Sequence, residues 1–326
     1  MAGDKAEVLV LAPKQTIVEG LEKAFTLHKL WEAPDREKML DAISPRVKAI
    51  ASAGGHAPVD SKLMSRLPGL ENVSSFGVGY DHVDARWAGQ NGIVVTNTPD
   101  VLTEEVADTA LGLLLCTARE FPQAERYLRA GKWVERNYPL SKATLRDRTV
   151  GIVGLGRIGK AIARRLDAMQ VPVVYYGRRP QPDVSYRYFS DLIEMARAAD
   201  VLMVVTPGGD ATRNLINASV LEALGPNGIL INMARGSVVD EPALIDALQK
   251  KKILSAGLDV YVDEPRVPRE LMEMDHIVLF PHLGSASEQT RRAMDQLVVD
   301  NLLAWGSGRP PLTPVPETPW PPIKRN

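Results

Sequence analysis

Three side chains in the second half of the sequence have the types that reduction of a carbonyl requires, and each follows an apolar run that reads as a buried strand. Arg235 lies in Asn232-Met233-Ala234-Arg235-Gly236, Glu264 in Asp259-Val260-Tyr261-Val262-Asp263-Glu264-Pro265, and His282 in Phe280-Pro281-His282-Leu283-Gly284-Ser285-Ala286. In an open parallel sheet, ligands collect at the carboxyl ends of strands. Hydride arriving at the carbonyl carbon of a 2-keto acid leaves negative charge on the oxygen, and an imidazole, whose ordinary pKa is roughly 6.5, can deliver the proton. Glu264 beside His282 favours the imidazolium and fixes the ring. Arg235 offers a planar fork to a planar carboxylate and polarises the ketone. Taken singly, each has a plain structural reading: a satisfied histidine, an Arg-Gly turn, a Glu-Pro turn. Their recurrence at successive strand ends carries the assignment.

Such a reduction needs a hydride donor, and residues 149–179 have the pattern of its binding site. Val150-Gly151-Ile152-Val153 reads as a strand, Gly154-Leu155-Gly156-Arg157-Ile158-Gly159 as a glycine turn, and residues 161–169 as an amphipathic helix. A second apolar strand, residues 171–176, follows within about 30 residues, which is the context a dinucleotide site requires. The first glycine lets the chain turn tightly, the second lets the backbone approach a pyrophosphate, and the third lets helix and strand pack closely. NAD sites usually place an acid at the end of the second strand, for the ribose hydroxyls. Here the sequence is Gly177-Arg178-Arg179. Two guanidiniums can pair with a 2′-phosphate, so the reading favours NADP(H), with NAD(H) as the lesser option. A solvated arginine pair after a strand is the alternative.

The elements that must position these groups follow from pattern and composition. At 326 residues the chain suggests two domains. With 45% hydrophobic and 24% charged residues it has an ordinary globular composition, and 39 Lys plus Arg against 40 acids give no field that favours nucleic acid or a membrane surface. Cys116 is the sole cysteine, which excludes an intrachain disulfide, fits a reducing compartment and reads as core filler. No apolar leader and no membrane-spanning run is evident, so a cytoplasmic location is expected. No His, Cys or acid spacing suggests a metal site. Strands at 7–11, 47–51, 73–76 and 93–96 alternate with helical segments, implying a parallel sheet covered on both faces. From Thr103 a long helix begins, with an acidic first turn, a largely apolar circumference and a helical signal that lasts until Gly131. Further βα units follow Arg179, and residues 291–304 read as a last helix that returns to the first domain. Seven prolines between Arg309 and Asn326 favour an extended tail, lying along the surface or mobile. The turn Gly77-Val78-Gly79 exposes backbone N–H groups able to bind a carboxylate; a plain β-turn fits it equally.

With these residues placed, the chain resembles the D-isomer-specific 2-hydroxyacid dehydrogenases over residues 47–316. The resemblance rests on Gly77-Val78-Gly79-Tyr80-Asp81-His82-Val83-Asp84, on Thr98-Pro99-Asp100-Val101-Leu102-Thr103-Glu104-Glu105-Val106-Ala107-Asp108, and on the glycine turn. It rests further on Asn232-Met233-Ala234-Arg235-Gly236, Gly257-Leu258-Asp259-Val260 and Pro281-His282-Leu283-Gly284-Ser285. Within the family it looks most like the glyoxylate/hydroxypyruvate reductases and their hydroxyphenylpyruvate reductase relatives, on residues 72–76 and 95–103 and the Gly177-Arg178-Arg179 selector. The resemblance implies an α/β fold of two Rossmann-like or flavodoxin-like domains with parallel sheets. Residues 1–100 and 287–326 would form a discontinuous substrate-binding domain, and residues 101–286 an NADP-binding Rossmann domain. It implies catalysis by Arg235, Glu264 and His282, and substrate contacts from Gly54, Val78, Gly79 and Ser285. Thr109 would approach the cofactor phosphates and Asp259 the nicotinamide amide; Thr206, Pro207, Thr212, Met233, Ala234 and Gly284 complete the expected cofactor contacts. One departure is Thr206-Pro207-Gly208-Gly209-Asp210, where relatives often carry a bulkier loop. A homodimer joined through the long helix is also implied. The expected activity is NADPH-preferring reduction of small 2-keto acids, glyoxylate and hydroxypyruvate to glycolate and D-glycerate. Alternatives are hydroxyphenylpyruvate or another 2-keto acid as substrate, and a non-enzymatic cofactor sensor on the same fold. A 3-phosphoglycerate dehydrogenase is disfavoured by Arg178 and Arg179.

Overall fold

A computed structural model describes residues 5–52, 54 and 58–322; these include the expected substrate contact Gly54, while its neighbours Ala53, Gly55 and His56 lie outside them. The chain divides into two compact units, residues 1–102 with 287–326, and residues 103–286. Each is a parallel sheet with helices, the expected fold class.

In the first unit, strands Glu7–Val10 (β1), Thr26–Lys29 (β2), Val47–Ser52 (β3), Asn72–Ser75 (β4) and Val94–Thr96 (β5) pair in the order β2-β1-β3-β4-β5. That is the flavodoxin-like winding. β3 and β4 are buried at every residue but Lys48, as strands covered on both faces must be. The helices are Gln15–Leu21 (α1), Arg36–Ile43 (α2), Ser61–Ser65 (α3) and Ala85–Gln90 (α4). The second unit holds Thr103–Arg119 (α5) and Phe121–Arg129 (α6). The strands Val150–Val153 (β6), Val173–Tyr176 (β7), Arg187–Phe189 (β8), Val201–Val204 (β9), Ile229–Asn232 (β10), Ser255–Leu258 (β11) and Val278–Leu279 (β12) follow. They pair in the order β12-β11-β10-β9-β6-β7-β8, the Rossmann winding, which reverses direction between β6 and β9. Arg157–Ala168 (α7), Leu192–Ala198 (α8), Ala218–Leu224 (α9), Glu241–Gln249 (α10) and Arg269–Met272 (α11) complete it. Glu288–Gly306 (α12) lies in the first unit, where it packs on α1, β3 and β4; a Cβ at Gly20 would come within 2.8 Å of Val299, so the two helices meet backbone to side chain.

Two findings differ from the sequence expectations, and a third decides between the two forms expected of the proline-rich tail. The long helix from Thr103 is two helices, broken where Glu120 adopts a left-handed φ of 56°. Only one face of α5 is buried, through Val106, Ala107, Ala110, Leu113, Leu114, Thr117 and Ala118; Cys116 sits half-buried off that face rather than in the core, and burial raises its thiol pKa. The proline-rich segment is extended but fixed: Pro314 forms an antiparallel bridge with Thr96, the Val315 amide donates to Val95 O at 2.9 Å, and Val315 is 2% exposed. Among the described residues no helix is long and apolar enough to cross a membrane.

Candidate active site

The second unit brings its three reactive candidates to the carboxyl ends of β10, β11 and β12. His282 Nδ1 lies 2.6 Å from Glu264 Oε2. With Nδ1–H donating to the carboxylate, Nε2 is the nitrogen left for a proton acceptor; the His282 side chain is 43% exposed and Glu264 19%. Burial raises the Glu264 carboxyl, but hydrogen bonds from His282 and the Tyr261 amide, with the charges of His282 and Arg235, outweigh it and leave the pKa below its ordinary value. The local chain is built around this pair. The amides of His282, Leu283 and Gly284 all donate to Asp259: to its backbone O at 2.9 Å, to Oδ1 at 2.7 Å and to Oδ2 at 2.9 Å. These bonds hold His282 at a left-handed φ of 52°, a conformation that costs a β-carbon residue about 1 kcal/mol or more. Asp259 is 2% exposed, and burial raises its carboxyl pKa against the pull of those amides. Tyr261 supports the other side, its hydroxyl donating to Phe280 O at 2.9 Å and its amide to Glu264 Oε1 at 3.0 Å.

Arg235 follows β10 in a turn organised by Asn232, whose side chain accepts from the Ala234 amide and donates to Arg235 O, each at 3.1 Å. Gly236 explains how this turn reaches the Glu264 loop. A Cβ there would stand 1.9 Å from the Tyr261 carbonyl carbon, so only glycine lets the two backbones touch.

The glycine turn stands at the switch point of the same sheet. Gly154 has φ +102°, and a Cβ on it would lie 2.9 Å from Thr206 Cα, which brings the turns after β6 and β9 together. A Cβ on Gly159 would lie 2.4 Å from Gly154 O, whereas one on Gly156 would meet nothing within 4 Å. Gly156 begins α7 without a side-chain cap, although six other helices begin with a capping Asp or Asn. A helix start with no side-chain cap, behind a glycine that faces open space, is what a dinucleotide pyrophosphate fits. Arg178 and Arg179 are exposed at the end of β7 and form no ion pair among the described residues. The nearby acid Asp183 is held 2.6 Å from Lys160, which lowers its pKa, so it does not act as an unpaired charge against a phosphate. Thr109 donates to Gly284 O at 3.2 Å, tying α5 to the His282 turn, and a Cβ at Gly284 would press on Asp259 and Met233. Ala234 is buried with Met233, Ser285 is half-buried, and Thr212 donates to Pro207 O at 2.7 Å to close the loop after β9.

In the first unit, the turn after β4 has Gly77 at φ +124°. Gly77 exchanges two hydrogen bonds with Thr98, and Asn97 Nδ2 donates to Val78 O at 2.8 Å. A Cβ on Gly54 would lie 3.5 Å from Phe76 O, so the turns after β3 and β4 are neighbours. Sequence reasoning did not find the supporting roles of Asp259, Tyr261, Asn232 and Asn97. Their one signal is that each falls inside or beside a motif already singled out. Among the described residues no group of three or more His, Cys, Asp or Glu is placed to hold a metal ion.

A family model described as D-isomer specific 2-hydroxyacid dehydrogenase, NAD binding domain, matches residues 111–284. The chain is 44% identical over 312 residues to glyoxylate/hydroxypyruvate reductase A of Arabidopsis thaliana, covering 94% of this chain and 98% of that one. It is 42% identical over 309 residues to hydroxyphenylpyruvate reductase of Plectranthus scutellarioides, covering 94% and 98%. Its structure is similar to that of an NADPH-dependent glyoxylate/hydroxypyruvate reductase from Sinorhizobium meliloti in complex with NADP and malonate, at TM-score 0.92 and 48% identity over 99% of each chain.

Proposed function

Because the chain belongs to the D-isomer specific 2-hydroxyacid dehydrogenase family, we propose that it is an NADPH-preferring reductase of small 2-keto acids, converting glyoxylate and hydroxypyruvate to glycolate and D-glycerate. The observation that carries the chemistry is the 2.6 Å pairing of His282 with Glu264 on a loop that also packs against the Arg235 turn. Bound NADPH supplies the hydride. Arg235 binds the substrate carboxylate and polarises the ketone, and His282 gives the proton to the carbonyl oxygen from Nε2. Glu264 keeps Nδ1–H engaged and balances the imidazolium. Val78 and Gly79 offer backbone N–H groups to the carboxylate, with Gly54 and Ser285 as further substrate contacts.

The cofactor would be held by Gly154, Leu155, Gly156, Arg157, Ile158 and Gly159 at its phosphates with Thr109, by Arg178 and Arg179 at the 2′-phosphate, and by Thr206, Pro207, Thr212, Met233, Ala234, Asp259 and Gly284 along the nicotinamide half. The open space at Gly156 and the pairing of Asp183 with Lys160 support this reading. A reducing, cytoplasmic setting belongs to the same reading and is supported by the single cysteine.

The test is nicotinamide oxidation with glyoxylate, hydroxypyruvate and hydroxyphenylpyruvate, each with NADPH and with NADH. Fast turnover of the first two with NADPH is expected. In a variant carrying Arg178→Ala and Arg179→Ala, KM for NADPH should rise about 10- to 100-fold while KM for NADH stays nearly level, since two exposed arginines together should be worth about one full charge-assisted bond to phosphate, about 1.5–3 kcal/mol. Equal losses for both cofactors would remove the two arginines from 2′-phosphate recognition. Cofactor binding without turnover of any 2-keto acid would favour a sensor instead.

A further inference from the structure

We infer that the proline-rich segment after α12 is a working part of the substrate site: Thr313 and Glu317 hold the Gly77-Val78-Gly79-Tyr80 turn in the form that receives the carboxylate, with Asn97 as the relay. This rests on the reading that Val78 and Gly79 bind the carboxylate. The carbonyl of Val78 and the N–H of Gly79 belong to one planar trans peptide, so they point in opposite directions. Asn97 Nδ2 donates to Val78 O at 2.8 Å and thereby fixes which way the Gly79 N–H is aimed. The turn's entry is fixed as well, since the Gly77 amide donates to Thr98 Oγ1 and the Thr98 amide to Gly77 O, both at 2.9 Å. The first half of the turn therefore hangs on Asn97 and Thr98.

Asn97 is in turn held by the segment. The Thr313 hydroxyl donates to Asn97 O at 2.6 Å, and the Asn97 amide donates to Thr313 O at 3.3 Å. Thr313 is anchored on α12 by Asn301, which is fully buried. Asn301 Oδ1 accepts from the Thr313 amide at 3.0 Å, and its Nδ2 donates to the Thr313 hydroxyl oxygen at 2.9 Å. A second grip lies on the other side of the turn, where the Tyr80 hydroxyl donates to Glu317 Oε2 at 3.0 Å. Between these points the segment cannot slide, because the Val95 amide donates to Thr318 Oγ1 at 2.8 Å and a Cβ at Gly89 would stand 2.3 Å from Glu317 O. Covering the edge of β5 would need only the Pro314 bridge and Val315. The side chains of Thr313 and Glu317 go further, to the residue that grips the carboxylate turn and to the residue that ends it.

Thr313→Val removes the hydroxyl and keeps the shape. It should lower kcat/KM for glyoxylate about tenfold, the order of one hydrogen bond's worth of positioning, and do so through KM, with the affinity for NADPH unchanged. The preference for glyoxylate over its methyl ester should fall by the same factor, and Thr313→Ser should restore it. Asn97→Ala should lower that preference further, and Glu317→Gln should lower it less. A role confined to covering the sheet edge would lower the thermal midpoint of Thr313→Val and leave the acid-to-ester ratio at the wild-type value, which would overturn the inference. Gly79→Pro, which deletes the N–H itself, separates the two levels. If it collapses the ratio while Thr313→Val does not, the clamp alone is wrong. If it leaves the ratio intact, the turn does not bind the carboxylate and both readings fall; should that variant not fold, Asn97→Ala decides in its place.

Discussion

His282 is placed by its neighbours rather than by its own preferences, since a residue with a β-carbon does not choose φ 52° unaided. Three consecutive amides on Asp259 force the turn, and Glu264 then fixes the ring. Replacing His282 by Ala should cost about 10²–10⁴-fold in kcat, the usual contribution of a positioned general acid, while binding of NADPH followed by fluorescence stays near wild type. Unchanged turnover would take His282 out of the mechanism. The acid of the pair is Glu264. Its folded pKa lies below the ordinary 4.5, so the interaction free energy with His282 is fully present above the unfolded value and is lost as pH falls through the folded one. Between pH 5 and 8 the carboxylate therefore stays charged. Glu264→Gln keeps a hydrogen-bond acceptor but cannot ionise, so the acid limb of the kcat/KM profile that follows protonation of Glu264 should disappear. An acid limb that persists unchanged would limit Glu264 to orienting the ring.

At the scale of elements, strand ends and the turns after them decide the site. Gly236→Ala would drive a methyl group into the Tyr261 carbonyl at 1.9 Å, contact that no rotamer relieves. One of the two loops must then move, so activity should fall at least about 100-fold, given how steeply misplaced catalytic groups lose rate, and the thermal midpoint should drop by several degrees. Near-normal kcat in this variant would show that Arg235 and Glu264 tolerate separate positions. How legible all this was in the sequence varies by element. α9 and α10, which belong to the βα units expected after Arg179, start where Asn217 and Asp240 cap them in front of well-patterned apolar residues. β2 and β8 escaped notice because both are edge strands, three or four residues long, with polar residues such as Lys29 and Arg187. α2 escaped because only Leu40 and Ile43 of its eight residues are buried. Arg235, Glu264 and His282 were legible because their chemistry is written in residue type. Asp259, Asn232 and Asn97 act mainly through side-chain to backbone bonds, which depend on where a distant loop comes to rest and leave no periodic trace.

For the molecule as a whole, the second unit exposes Phe121, Leu128, Trp133, Val134 and Leu140 within a span of 20 residues on and just after α6. A run of large apolar side chains left in water marks an association surface, and we expect a homodimer: sedimentation should give twice the chain mass, and Trp133→Ser with Leu140→Ser should shift it toward the monomer. A wild-type monomer at micromolar concentration would sink that expectation. The division of the chain also sets an order of events during its synthesis. The second unit is one uninterrupted stretch, so it can close on itself as soon as residue 286 has left the ribosome. The first unit, begun earlier, must wait with β3 and β4 uncovered until α12 arrives, and with the β5 edge unpaired until residues 313–318 follow. Its earliest-made strands are thus the last to be secured, which makes that half of the nascent chain the one exposed longest to mispairing and to chaperones.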